Sequence, residues 1–206
     1  MDIDLIRARL ASDPAIAPAE AIASVVTSDD AADLISKPLV AAAVLVPIVH
    51  GDAPGILLTK RTSHLSAHAG QVAFPGGRID PEDDSPEAAA LREAFEEIGL
   101  APTQPELLGR LPDYVTGTGF RITPVLALLP GPLDLAPNPA EVAAIFTLPL
   151  SVLLDPAAPE RRRAEFRGRS REFWVWPHTE HYIWGATAAI LVHLAHRLRT
   201  EARAAA

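Results

Sequence analysis

At 206 residues the chain suits a single domain with a substantial buried core and at most a small appendage. Apolar residues make up 49% and charged residues 21%, an ordinary globular balance, and no apolar run approaches the ~20 residues of a membrane-spanning helix. Cysteine is absent, which excludes disulfides, thiolate zinc sites and thiol nucleophiles, and the net charge of −8 disfavours bulk binding to nucleic acid or anionic membranes.

Residues 1–37 are rich in Ala and Asp and read as an N-terminal helical arm. The opening Met1-Asp2-Ile3-Asp4 is acidic where a secretory signal would be basic, so a cytoplasmic protein is expected. A short helix is expected over residues 4–11, closed by Ser12-Asp13-Pro14. The compact domain is expected over residues 38–206. Residues 39–49 fit a buried strand, Gly51-Asp52-Ala53-Pro54-Gly55 a turn, and residues 56–60 the paired strand. Residues 71–74 are a further short strand, closed by a rigid turn at Pro75-Gly76-Gly77.

The clearest helix follows. Ser85 is a good N-cap, Pro86 holds the first helical position, and Glu87 adds negative charge at the positive end. Residues 88–98 are mostly strong helix formers, and Gly99 is a natural stop. Strands are expected at residues 107–112, 122–129, 142–148, 163–166 and 172–176, with Gly168-Arg169-Ser170 turning between the last two. Residues 185–199 form a second long helix, with Ile190, Leu191, Leu194 and Leu198 at helical spacing. The result is a mixed sheet with helices packed on it, since the alternation is too irregular for a doubly wound parallel sheet.

A helix turns by ~100° per residue, so Glu93 and Glu97 share one face and Glu96 lies on its flank. Three like charges this close destabilise an isolated helix. A divalent cation turns that cost into binding energy, because hard Mg²⁺ or Mn²⁺ prefers oxygen ligands. Taken alone, the helix fits a solvated Glu-rich face equally well. Arg92, four residues before Glu96, can pair with it and fix its rotamer. Upstream, Gly76 and Gly77 let the backbone approach a ligand and offer a carbonyl to a metal. Asp80, Glu82, Asp83 and Asp84 crowd the linker. Glycine turn, acidic linker and Arg-Glu-x-x-Glu-Glu-x-Gly together are much more specific than any one of them.

Residues 77–100 resemble the Nudix box, the signature of a superfamily of diphosphate hydrolases. The helical half matches in full, through Arg92, Glu93, Glu96, Glu97 and Gly99. The loop half is one residue longer than usual, and Asp84 stands where an early, usually structural, glutamate is expected. Leu57-Leu58-Thr59-Lys60-Arg61, Gly70 and Phe74-Pro75-Gly76-Gly77 look like the extra signature of coenzyme A diphosphatases. Asn138-Pro139-Ala140-Glu141-Val142, Phe146-Thr147-Leu148-Pro149-Leu150 and Ile183-Trp184-Gly185-Ala186-Thr187-Ala188 extend this likeness over residues 38–195. Thr62 replaces a small Ser or Ala, and Ser66 replaces an arginine.

The resemblance implies an α-β-α sandwich around a mixed sheet. It implies Mg²⁺ or Mn²⁺ held by Glu93, Glu96 and Glu97 with the Gly76 or Gly77 carbonyl, and Glu93 as a candidate base. Glu141 is the best remote candidate for a further ligand. Arg61, His68 and Gly77 are candidate substrate contacts. The implied reaction splits coenzyme A, or an acyl form, into 3′,5′-ADP and 4′-phosphopantetheine. Rival readings are a Nudix diphosphatase of ADP-ribose or NADH and a non-catalytic nucleotide-sensing module; retention of all three box glutamates argues against the latter. The partner is a small molecule rather than nucleic acid or membrane, and a homodimer stays open.

Other residues read more plainly. Arg61 can bind a phosphate or an acidic loop residue. His64 is a loop histidine, and nothing near His178 and His181 completes a metal pair. Arg161, Arg162, Arg163, Arg167, Arg169 and Arg171 suit the charged exterior of a hairpin. Trp174 and Trp176 alternate like one face of a strand and serve packing, while Thr116-Gly117-Thr118-Gly119 is a flexible loop.

Overall fold

Two neighbouring strands carry apolar residues at nearly every position, so both their faces must be covered. The computed structural model describes residues 2–11, 26–27, 38–64, 68–166 and 169–199. In chain order its elements are α1 (Ile3–Ala11), β1 (Val26–Thr27), β2 (Val40–His50), β3 (Gly55–Arg61), β4 (Val72–Ala73), β5 (Gly76–Arg78), α2 (Pro86–Ile98) and β6 (Glu106–Arg110). Then follow β7 (Tyr114–Val115), β8 (Phe120–Pro130), β9 (Val142–Pro149), α3 (Leu150–Leu154), β10 (Glu160–Phe166), β11 (Arg169–Trp176), β12 (Ile183–Trp184) and α4 (Gly185–Arg199).

β2 and β8 run parallel and pair along their whole length, from Val40 against Phe120 to His50 against Pro130. On one side Ala43 and Leu45 of β2 and Val125, Ala127 and Leu129 of β8 meet Ala89, Ala90, Ala94 and Ile98 of α2. On the other, Val46, Ile48, Leu126 and Leu128 meet Leu191, Leu194 and Leu198 of α4, together with Ile6 and Leu10 of α1. The product is the expected mixed sheet between helical layers. A small antiparallel sheet, β10-β11-β12, lies beside α4. There Trp176 is buried and its indole N–H donates to Ala188 O at 3.0 Å, a packing role as expected.

The sheet parts between β2 and β3. β2 and β3 pair only at Ile48–Ile56 and Val49–Gly55. Beyond that point they diverge, and the returning chain fills the gap, β4 against β3 and β5 against β2. Leu45 N–H donates to Pro75 O at 2.8 Å, and Arg61 N–H to Gln71 O at 2.9 Å. Gly76 and Gly77, expected as a turn, are therefore ladder residues opposite Val44 and Ala43. Gly76 has φ +152°, and a methyl there would strike Ala43 O and Val44 Cα.

Within residues 1–37 the described elements are α1, which packs on the domain, and β1, which pairs in parallel with β7 in the main sheet and so adds a strand to what the sequence suggested was a helical arm. Arg7 grips Glu106 with two bonds of 2.9 and 2.7 Å. Arg197 donates to Leu10 O at 2.7 Å, and Arg9 donates in return to Leu198 O. Ser12-Asp13-Pro14 and Gly168 lie outside the described residues. Arg169 and Ser170, expected in a turn, instead open β11. Thr116 to Gly119 close the hairpin from β7 to β8. Among the described residues no helix is long and apolar enough to cross a membrane.

Candidate active site

α2 starts and stops where its capping residues require. Ser85 Oγ accepts from Ala88 N–H at 3.1 Å, Pro86 follows, and Gly99, at φ +70°, closes the helix by donating to Phe95 O at 2.9 Å. Its alanine face lies on the sheet, and this decides the fate of the glutamates. Glu97, between Ala94 and Ile98 on that buried face, is only 3% exposed. Glu93, one turn earlier, is half-buried, and Glu96 is exposed.

Glu97 reaches the gap between β2 and β3. Gly76 N–H donates to its Oε2 at 3.1 Å, and Arg61 Nη1 stands 3.4 Å from its Oε1. Burial nevertheless pushes this carboxyl up to about 7. The Gly76 N–H and Arg61 oppose the shift, while the charges of Glu93 and Glu141 add to it. Glu93 is raised too, by burial first, against the pull of Arg92 and with help from Glu96 and Glu141. Gly77 sits against Glu93, so that a methyl at this position would fall on the carboxylate itself. The two glycines are thus required for different reasons: Gly76 for close pairing with β2, Gly77 for room beside Glu93.

Arg92 does pair with Glu96, at 3.3 Å, as its spacing suggests. Its main partner is another residue. Asp83 takes its guanidinium in a two-pronged bond, Nε–Oδ1 3.0 Å and Nη2–Oδ2 2.8 Å, and Arg92 holds the Asp83 carboxyl below the usual range. Arg92 also donates to Arg78 O at 3.1 Å and to Glu93 Oε1 at 3.1 Å. It therefore ties linker, β5 and helix together. The reading that gave Asp84 the structural role is corrected. The turn closed by Asp83 N–H on Asp80 O directs Asp83 under the helix and leaves Asp84 exposed. Helical spacing could not find Asp83, because it lies before the helix begins.

Glu141 is brought in from the loop after β8. Asn138 N–H donates to Glu97 O at 2.8 Å and Ala136 N–H to Ile98 O at 3.0 Å, so this loop is bonded to the end of α2. From there the charge of Glu141 acts on both Glu93 and Glu97. His68 stands apart in an exposed turn at φ +57°, its ring bonded to Gln71 Oε1 at 2.9 Å rather than to any box carboxylate. His64 is exposed, and Ser66 lies outside the described residues. His178 meets the Phe146 ring edge-on and His181 lies tilted over it, their ring centroids 4.9 and 3.9 Å from its own.

Among the described residues no three carboxylates or imidazoles stand together as a ready-made metal cage. Arg61 and Gly76 hold Glu97, while Arg92 holds Glu93 and Glu96. The donor set still fits a hard divalent cation. It is all oxygen, partly buried, and its like charges raise one another's proton affinity, a cost that a cation would remove.

Residues 39–182 match the model of the NUDIX domain. The chain is 44% identical over 154 residues to the uncharacterized Nudix hydrolase NudL of Enterobacter sp. (strain 638), covering 75% of this chain and 80% of that one. The same figures hold for NudL of Escherichia coli (strain K12). A solved structure of a MutT protein from Methanosarcina mazei Go1 is similar at TM-score 0.45 and 20% identity, over 58% of this chain and 83% of that chain. Nudix hydrolases generally use divalent ions such as Mg²⁺ or Mn²⁺. The chain belongs to this family and is a hydrolase that cuts the diphosphate bond of small nucleotide-like substrates.

Proposed function

We propose that the substrate is coenzyme A or an acyl-coenzyme A, cut at its diphosphate to give 3′,5′-ADP and 4′-phosphopantetheine or the acyl form. One observation carries this reading. The two segments that resemble the coenzyme A diphosphatase signature, residues 57–61 and 74–77, supply the two donors that meet on Glu97, Arg61 and the Gly76 N–H.

Mg²⁺ or Mn²⁺, held by Glu93, Glu96, Glu97, Glu141 and the Gly76 or Gly77 carbonyl, would acidify a water and shield the diphosphate oxygens. The residues of the chain do the rest. Glu93, with its proton affinity raised by burial, is suited to orient the attacking water and take its proton. Arg61 offers a cation to the diphosphate, and Gly77 leaves space for it. His68, at the exposed turn, is assigned to a more remote part of the substrate. Arg92 positions Glu93 and Glu96 by holding both.

The test is turnover on coenzyme A, acetyl-coenzyme A, ADP-ribose and NADH with Mg²⁺ or Mn²⁺, products resolved by mass. Release of 4′-phosphopantetheine from coenzyme A, abolished by chelator, is expected. Preference for ADP-ribose or NADH would keep the chemistry and overturn the substrate. Silence on the whole panel, with metal and nucleotide still bound, would favour a sensing module.

A further inference from the structure

Between Lys60 and Arg61 the pairing of β3 with β9 slips by one residue. Lys60 faces Ala144, but Arg61 faces Val142, so Ala143 is left over. A one-residue slip exchanges the faces of a strand. Its effect is visible in the core, where Val142 and Ile145, three apart, both pack with the α2 cluster. The slip also brings Thr62 level with the residue before β9. Thr62 N–H donates to Glu141 O at 2.9 Å, and its hydroxyl donates to Ala140 O at 3.3 Å. Thr62 is buried, and its hydroxyl oxygen also lies 3.5 Å from His64 Nε2. The loop thus has two anchors. Asn138 N–H fastens one end to the Glu97 carbonyl, and Thr62 fastens the other to the end of the strand that carries Arg61.

We infer that Thr62 is a positioning residue, which acts by latching the 138–141 loop to the end of β3 so that Glu141 faces Glu93 and Glu97. A Ser at this position keeps the hydroxyl. A Val keeps the shape and the backbone bond but loses the hydroxyl's bond to Ala140 O. The inference rests on the reading of Glu141 as part of the metal-binding set.

The experiment measures Mn²⁺ affinity by EPR titration of the full chain, with the melting temperature of each protein as a control for folding. The proteins are wild type, Thr62→Val, Thr62→Ser, Glu141→Gln and the double variant Thr62→Val/Glu141→Gln. Thr62→Val is expected to weaken Mn²⁺ by about threefold to tenfold, the worth of one hydrogen bond. Thr62→Ser should restore it. The double variant should bind no more weakly than Glu141→Gln alone, since both changes act on one carboxylate. Wild-type affinity in Glu141→Gln would remove Glu141 from the metal set, and the latch with it. A weakened Glu141→Gln beside an unaffected Thr62→Val, or losses that simply add in the double variant, would overturn the latch and leave the reading of Glu141 intact.

Discussion

Burial raises the Glu97 carboxyl to about 7, although the Gly76 N–H and Arg61 both pull the other way. The folded value therefore lies above the unfolded one of 4.5. In metal-free protein the folded state binds the extra proton between those values, so stability falls as pH rises from about 4.5 to about 7. Glu97→Gln keeps an acceptor for Gly76 and removes the titration. In chelator it should be more stable than wild type at pH 8 by ~3 kcal/mol, and the advantage should vanish near pH 4.5. Urea unfolding at several pH values measures this; an advantage independent of pH would sink the explanation. With saturating Mg²⁺ the variant should lose most turnover, about a hundredfold or more, and bound metal should stabilise wild type more. The three box glutamates were legible in the sequence because helical spacing alone puts them near one face. Which of them would be buried, and beside which arginine, was not. That follows from the divergence of β2 and β3, a long-range event with no local signature.

At the scale of elements, α2 was readable from end to end, since caps and stops are local chemistry: Ser85 and Gly99 each satisfy backbone groups within their own turn. β5 was not. Two glycines suggest a turn, and only the partner strand, more than thirty residues earlier, makes them a ladder. The linker between β5 and α2 hid its key residue for a similar reason, since four acidic side chains compete and a single turn selects Asp83. Asp83→Asn should remove the charged half of the two-pronged bond to Arg92, costing ~1–3 kcal/mol. It should also lower kcat more than it raises KM, because Arg92 would hold Glu93 and Glu96 less firmly. Thermal melts and steady-state kinetics check both. Wild-type melting and kinetics would show that Arg92 is held well enough by Arg78 O and the two glutamates alone.

Across the whole molecule the sheet separates two jobs. The box carboxylates sit on the α2 face, and most of the apolar mass sits on the other, under α1, α3 and α4. The sequence announced a mixed sheet with helices on it, but not which helix took which face, because strands buried on both sides carry no alternation to read. The separation makes a forecast. Leu10→Ala opens a cavity in the α4-side core and should cost ~2–5 kcal/mol, while kcat per folded molecule stays at wild type. Calorimetry with active-site titration tests this, and a large fall in kcat would show that the two faces communicate.

The crossed bonds between α1 and α4 bear on how the chain reaches this state during synthesis. Leu10 and Arg197 stand 187 positions apart, among the most distant contacts the molecule makes. Until the second of these helices has left the ribosome, Ile6 and Leu10 find only part of their apolar surroundings, and closure of so long a loop comes late. A nascent chain halted before residue 185 would present these side chains to solvent with the inner face of the sheet beside them. Such truncated species should be the ones that chaperones hold and that aggregate in their absence.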